Sequence, residues 1–270
     1  MDLGAYIGSN KHILQHITNS VPPDTSDVST FNPSNSTRTM AAFCLSLLTA
    51  SSLLSIAHSR PAPPNSPPAI PLYEVATTTT SGLPSPTGSL KFIAVQIGTQ
   101  NYTCNSTAGT YTAKGALAQA FDATAYLTKN PNTLDSLSKT YLDLYTNEPC
   151  SKSPSDDLKP DDRCEDRANS RFAHPLPILG EHYFTSTGTP TFDLYAAPGH
   201  PFMYAAKKGD VHAPSADDVD WLYLVGNGST SNRIISSVYR IETVGGVAPS
   251  SCSGTGNIYV PYAGQYWYYG

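Results

Sequence analysis

Five side chains in this 270-residue sequence could do polar chemistry from neighbouring strands: His182, Asp193, Asp220, Arg240 and Glu242. A histidine held by a carboxylate can act as a general base near neutral pH, the carboxylate fixing its tautomer. His182 with Asp193 or Glu242 would supply such a pair for a hydrolase. Its bland counterpart is a core histidine bonded to backbone, since His182 shares strand parity with Ile178, Gly180 and Phe184. Arg240 and Glu242 fall on one strand face and could simply pair with each other. Asp220, just before Trp221, reads as a turn-capping residue. No Gly-x-Ser-x-Gly elbow and no His-Glu-x-x-His run is present, so a hydrolase has candidate parts without a signature.

A second chemistry is offered by the aromatic run at the end of the chain, Ile258-Tyr-Val-Pro-Tyr-Ala-Gly-Gln-Tyr-Trp-Tyr-Tyr269. On a strand, Gln265, Trp267 and Tyr269 face one way and Tyr266 and Tyr268 the other. If one face fills a core, rings from the set Tyr262, Tyr266, Trp267 and Tyr269 are left on the surface, suited to carbohydrate or another extracellular protein. The alternative is a layer or helix covering both faces. The run closes the core as the last strand of a β domain in either case.

The elements that must position these residues are mostly strands. Phe92–Cys104 is the first, with Ile93, Val95 and Ile97 on one parity and Tyr102 and Cys104 on the other; a bulge or bend at Gly98-Thr99 is expected to bring both sets to the core face. Further strands are expected at Ile178–Phe184, Thr191–Tyr195, Val219–Val225, Ile234–Val244 and Ile258–Tyr269. The 219–225 strand is apolar on nearly both faces and so central in its sheet. Ala116–Leu127 is ambiguous between strand and helix. Asn132–Tyr145 is the clearest helix, with Asn132 as cap and Leu134, Leu137, Tyr141 and Leu144 on one face. The fold class is mainly β: an antiparallel sandwich or barrel with one or two short helices.

Upstream, the chain changes character. Residues 1–39 are polar and aperiodic and are expected to be an over-extended gene model. Met40 to Ser59 is a short apolar run ending in small residues, the pattern of a secretory signal, broken by Ser and Thr and short for a stable membrane span. Residues 60–89 are a Pro/Thr/Ser-rich linker, leaving 90–270 as the β-rich domain. Sequons at Asn101, Asn105 and Asn227 mark expected glycosylation sites. Cys44 lies in the signal-like run; the four remaining cysteines allow three pairings, of which Cys104–Cys252 and Cys150–Cys164 are expected. No Cys-x-x-Cys pair is present, so no metal site is expected. With a net charge of −5 and only 14 % charged residues, there is no basic stripe for nucleic acid.

Gly98-Thr-Gln-Asn-Tyr-Thr-Cys104, Gly180-Glu-His-Tyr-Phe184, Thr191-Phe-Asp193, Ala213-Pro-Ser215, Val219-Asp-Trp-Leu222, Val238-Tyr-Arg240, Thr243-Val-Gly-Gly-Val-Ala-Pro249, Cys252 and Val260-Pro-Tyr262 with Tyr266-Trp-Tyr-Tyr269 together resemble domain-of-unknown-function family 3455. The resemblance runs from about Leu90 to Gly270. It implies a β-rich extracellular domain of fungi and some bacteria, with no established chemistry. Fungal members often carry the label malate dehydrogenase. That activity needs a strand, a Gly-x-Gly-x-x-Gly turn and a helix to hold a pyrophosphate, whereas Gly245-Gly246 is followed by Val-Ala-Pro. No cofactor is expected. The expectation is a secreted β domain acting as a binding or wall-associated module, its partner a wall polysaccharide or an extracellular protein.

Overall fold

Strand after strand in this chain carries apolar residues at both parities, which demands cover on both faces, and the fold provides it. The computed structural model describes residues 66–72, 82–149, 163–228 and 234–270, all within the unit spanning 59–270. Eight antiparallel strands follow in chain order: β1 (Leu90–Asn105), β2 (Thr110–Asp122), β3 (Ile178–Phe184), β4 (Pro190–Asp193), β5 (Phe202–Val211), β6 (Trp221–Gly226), β7 (Ser237–Gly245) and β8 (Asn257–Tyr269). Each pairs with the next, and β8 returns to β1 from Leu90↔Tyr269 to Thr103↔Asn257, closing a barrel. Of the two architectures the sequence allowed, the barrel is the one formed, and closure leaves no strand edge unpaired.

Between β2 and β3 run helices α1 (Thr124–Lys129), α2 (Leu134–Thr146) and α3 (Cys164–Arg171). Helix α2 lies across the outer faces of β8, β1 and β7, and α3 packs on α2. Two apolar clusters result. The outer one, under the helices, joins Ile93, Val95, Ile97, Trp221 and Trp267 to Leu134, Leu137 and Tyr141. The inner one fills the lumen with Ala94, Ala116, Ala118, Ala120, Phe192, Val238, Tyr262, Tyr266 and Tyr268. Small inward residues on β1 and β2 leave room for the tyrosine rings of β8.

This two-sided cover corrects the reading of β1. Gly98 pairs regularly with Ala118 and Tyr262, and the one irregularity against β2 falls at Asn101/Tyr102. No parity switch is needed, because Ile93, Val95 and Ile97 face the helices while Tyr102 belongs to the inner face. A Cβ at Gly98 would run into the Leu117 carbonyl and Ala118 Cα, so glycine here permits a close approach of two strands. The ambiguous 116–127 stretch is both things at once, strand to Asp122 and helix from Thr124. Helix α2 begins at Leu134 after a 3₁₀ turn at Pro131–Thr133, and Asn132 does not cap it. Strand β5 and helix α3 had no counterpart in the sequence reading.

The linker expected over 60–89 includes packed residues. Leu83 is in the outer cluster, with Ile70 and Leu72 against it; Pro84 accepts a hydrogen bond from the Tyr239 hydroxyl at 3.0 Å. Ser89 and Gly270 exchange backbone hydrogen bonds. Cys104 and Cys252 form a disulfide, joining the end of β1 to the β7–β8 connection. Cys164 is also disulfide-bonded; Cys150, its expected partner, lies outside the described residues, as do the signal-like run and residues 1–39. No described helix is long and apolar enough to cross a membrane.

Candidate functional site

Strand β8 lies between β1 and β7, with lumen on one side and helix on the other. Tyr262, Tyr266 and Tyr268 point inward and are at most 1 % exposed. Outward, Gln265 is fully buried and donates from Nε2 to the Leu134 carbonyl at 2.6 Å, and Trp267 Nε1 donates to Gln265 Oε1 at 3.2 Å. Tyr262, Tyr266, Trp267 and Tyr269 therefore do not form an exposed aromatic surface. Of the two readings of this strand, the one covered on both faces is formed.

His182 sits in the lumen as the core histidine its parity allowed. Its Nδ1 donates to the Thr191 carbonyl at 2.8 Å, and its ring stacks on Phe192 at 4.4 Å. Burial pushes the imidazole down to about 4, with the Arg240 charge adding to the effect, so the ring is neutral at ordinary pH. Asp193 follows Phe192 on β4 and alternates to the other side of the wall, opposite Glu181. The hydrolase pair His182–Asp193 is not brought together. Glu242 takes a positive φ of 47°, inside the irregularity between Ile241 and Val244 that disturbs the alternation of β7. Arg240 does not pair with it: Nε and Nη2 both donate to the Asp220 backbone carbonyl, at 3.0 and 2.8 Å.

What the structure does assemble is the barrel mouth, at the end carrying the β1–β2, β3–β4, β5–β6 and β7–β8 connections. A cavity of about 800 Å³ opens there, lined by Gln100, Tyr102, Lys207, His212, Asp218, Asp220, Leu222 and Arg240 among others. A recess of about 500 Å³ adjoins it and shares Gln100 and Ala113. The rim is organised by backbone-directed bonds. Tyr102 Oη donates to the Gly246 carbonyl at 2.7 Å, Asp218 Oδ1 accepts from the Gly245 N–H at 2.6 Å, and Thr243 Oγ1 donates to the Val219 carbonyl. Gly245 and Gly246 have φ of 74° and 88°, which lets the turn fold over the rim. The chain beyond it runs through an irregular segment into β8, with no helix at whose N-terminus a pyrophosphate could sit.

Charge in the mouth is distributed unevenly. Asp220 Oδ1 lies 2.9 Å from His212 Nδ1, and the bond to that carboxylate raises the exposed imidazole. Arg240 reaches inward to the layer of Tyr262 and Tyr266, whose hydroxyls meet at 3.1 Å. Burial raises both phenols, and the Arg240 charge pulls the other way. Of the residues singled out in the sequence, the mouth brings Arg240 and Asp220 together and leaves Asp193 outside the wall. Gln100, Tyr102, Lys207 and His212 were not singled out; the Lys207-Lys208-Gly209 run, a charged break in the weakly alternating β5, was the available signal. Among the described residues no group of three or more His, Cys, Asp and Glu is arranged to hold a metal.

A family model described as a protein of unknown function (DUF3455) matches residues 84–270. Neither the search of curated proteins nor that of solved structures found a match.

Proposed function

The chain belongs to the DUF3455 family, and from that premise we propose that it is a secreted binding module whose ligand enters the open end of the barrel. The observation that carries this reading is the mouth cavity of about 800 Å³, polar at its rim and floored by Arg240 and Leu222. Its size lies in the range that small-molecule sites occupy, and an eight-stranded barrel is wide enough to hold one small ligand. A wall polysaccharide presenting a chain end is the partner that suits a pocket of this size. The secretory character is supported by the Met40–Ser59 pattern, by the exposed Asn105 and Asn227 of two sequons, and by disulfide bonding.

The test is retention of the purified chain on insoluble wall polysaccharides, with analysis of soluble products in the same tubes. Ala113 is exposed on the mouth wall. Ala113→Trp is expected to weaken retention roughly tenfold or more, about 1.4 kcal/mol, with the melting temperature unchanged. Retention unaffected by that substitution would move the site elsewhere, and time-dependent release of sugar would replace binding with hydrolysis.

A further inference from the structure

Resting on the reading of the mouth as a ligand site, we propose that the ligand presents an oxyanion, foremost a carboxylate, to Arg240. The guanidinium is half-buried at the inner end of the cavity, where Nε and Nη2 share one acceptor, the Asp220 backbone carbonyl. A neutral carbonyl fixes the plane of the fork but leaves its charge uncompensated, and buried charges are normally met by an opposite one. No ion pair involves Arg240 among the described residues.

Each lining acid has one oxygen engaged away from Arg240. Asp218 Oδ1 takes the Gly245 N–H and Asp220 Oδ1 faces His212. Gln100 Nε2 is buried without a partner, and Gln100 lines both the main cavity and the adjoining recess. Lys207 Nζ is 3.3 Å from Asp210 Oδ1, but both side chains are largely exposed, so that contact holds the lysine only weakly. At the inner end, the Arg240 guanidinium and the unpartnered Gln100 amide are both donors, and they select an acceptor-rich ligand group. The Asp220 carbonyl takes the Nε–Nη2 edge, and the Nη1–Nη2 end of the planar fork is the one that can give a carboxylate two parallel N–H bonds in a partly desolvated site. With the cavity volume, this points to a short acidic saccharide or a small organic acid of similar size.

The experiment compares trigalacturonate with its methyl ester, which keeps the shape and removes the charge. Glucose 6-phosphate and a sulfated disaccharide serve as further arms. Binding is followed by chemical-shift perturbation on the isotope-labelled full chain. The acid is expected to shift the resonances of Gln100, Tyr102 and Arg240, to weaken as salt is added, and to bind roughly 10- to 100-fold tighter than the ester. Arg240→Gln is expected to erase the difference between acid and ester, and Arg240→Lys to restore part of it. Because Arg240 also holds the Asp220 carbonyl, a variant that fails to fold decides nothing by itself, and the acid–ester comparison on the unaltered protein carries the test. Phosphate or sulfate binding at the same resonances, with the carboxylate silent, supports the oxyanion and reassigns its source. Equal, salt-independent binding of ester and acid at the mouth overturns the inference and leaves the mouth a ligand site. Silence of the mouth to every probe overturns both.

Discussion

His182 shows how one side chain can look catalytic in the sequence and be structural in the fold. Its Nδ1–H is used by the Thr191 carbonyl and its ring by Phe192, so the carboxylate partner that would make it a base has no place beside it. Its titration still has a consequence. Folding depresses the imidazole from its ordinary 6.5 to about 4, so between those values the unfolded chain binds a proton that the folded chain does not. Stability from this group is complete above about pH 6.5 and is lost progressively as pH falls towards 4, on the order of 3 kcal/mol in all. His182→Gln, which keeps a donor for Thr191 and does not titrate, is expected to flatten that part of the stability–pH curve. Urea unfolding at a series of pH values measures it, and a variant retaining the wild-type slope between pH 6.5 and 4 would remove His182 as its source.

At the scale of elements, the covered β8 makes a different prediction from an exposed one. Trp267 is fully buried between the barrel wall and α2, its indole N–H held by Gln265, which in turn holds the first turn of the helix. Trp267→Ala is therefore expected to cost about 3–5 kcal/mol of stability, as large core truncations do, read as a lowered denaturation midpoint. A stable variant that lost only polysaccharide retention would instead restore the surface role. The strands themselves were legible because turn residues punctuate them and β-branched and aromatic residues fill them. Their cover was not, since a strand apolar at both parities looks the same whether a second sheet or a helix lies over it. That ambiguity produced the parity switch expected at Gly98-Thr99 and left the aromatic face undecided. Strand β5 is not legible in the sequence because its second half, Lys207-Lys208-Gly209-Asp210, carries charge where a strand pattern needs apolar residues. Of those charges, Lys207 lines the mouth, where a polar rim replaces a packed core.

For the whole molecule, the decisive step is closure, and closure depends on pairing the first and last strands. Strands β1 and β8 are in register along nearly their whole lengths, and the Cys104–Cys252 disulfide adds a covalent tie near the mouth end of the same seam. Backbone bonds accompany it: Cys104 N–H donates to the Gly256 carbonyl and Cys252 N–H to the Gly109 carbonyl, each at 2.9 Å. The bridged residues are 148 apart in sequence, so the chain-entropy model gives about 5 kcal/mol, a ceiling when the unfolded chain keeps residual structure. Replacing both cysteines by serine is expected to lower unfolding stability by roughly 2–5 kcal/mol while leaving the β-type circular dichroism spectrum of the native state intact. The strand ladder and the two apolar clusters, rather than the bridge, specify the barrel, so the tie stabilises a seam that forms without it. Denaturant titration of the double variant beside the oxidised wild type decides this. Loss of the native spectrum in buffer alone would mean that the bridge is required for closure, whereas an unchanged midpoint would mean that the hydrogen-bonded seam alone holds the barrel shut.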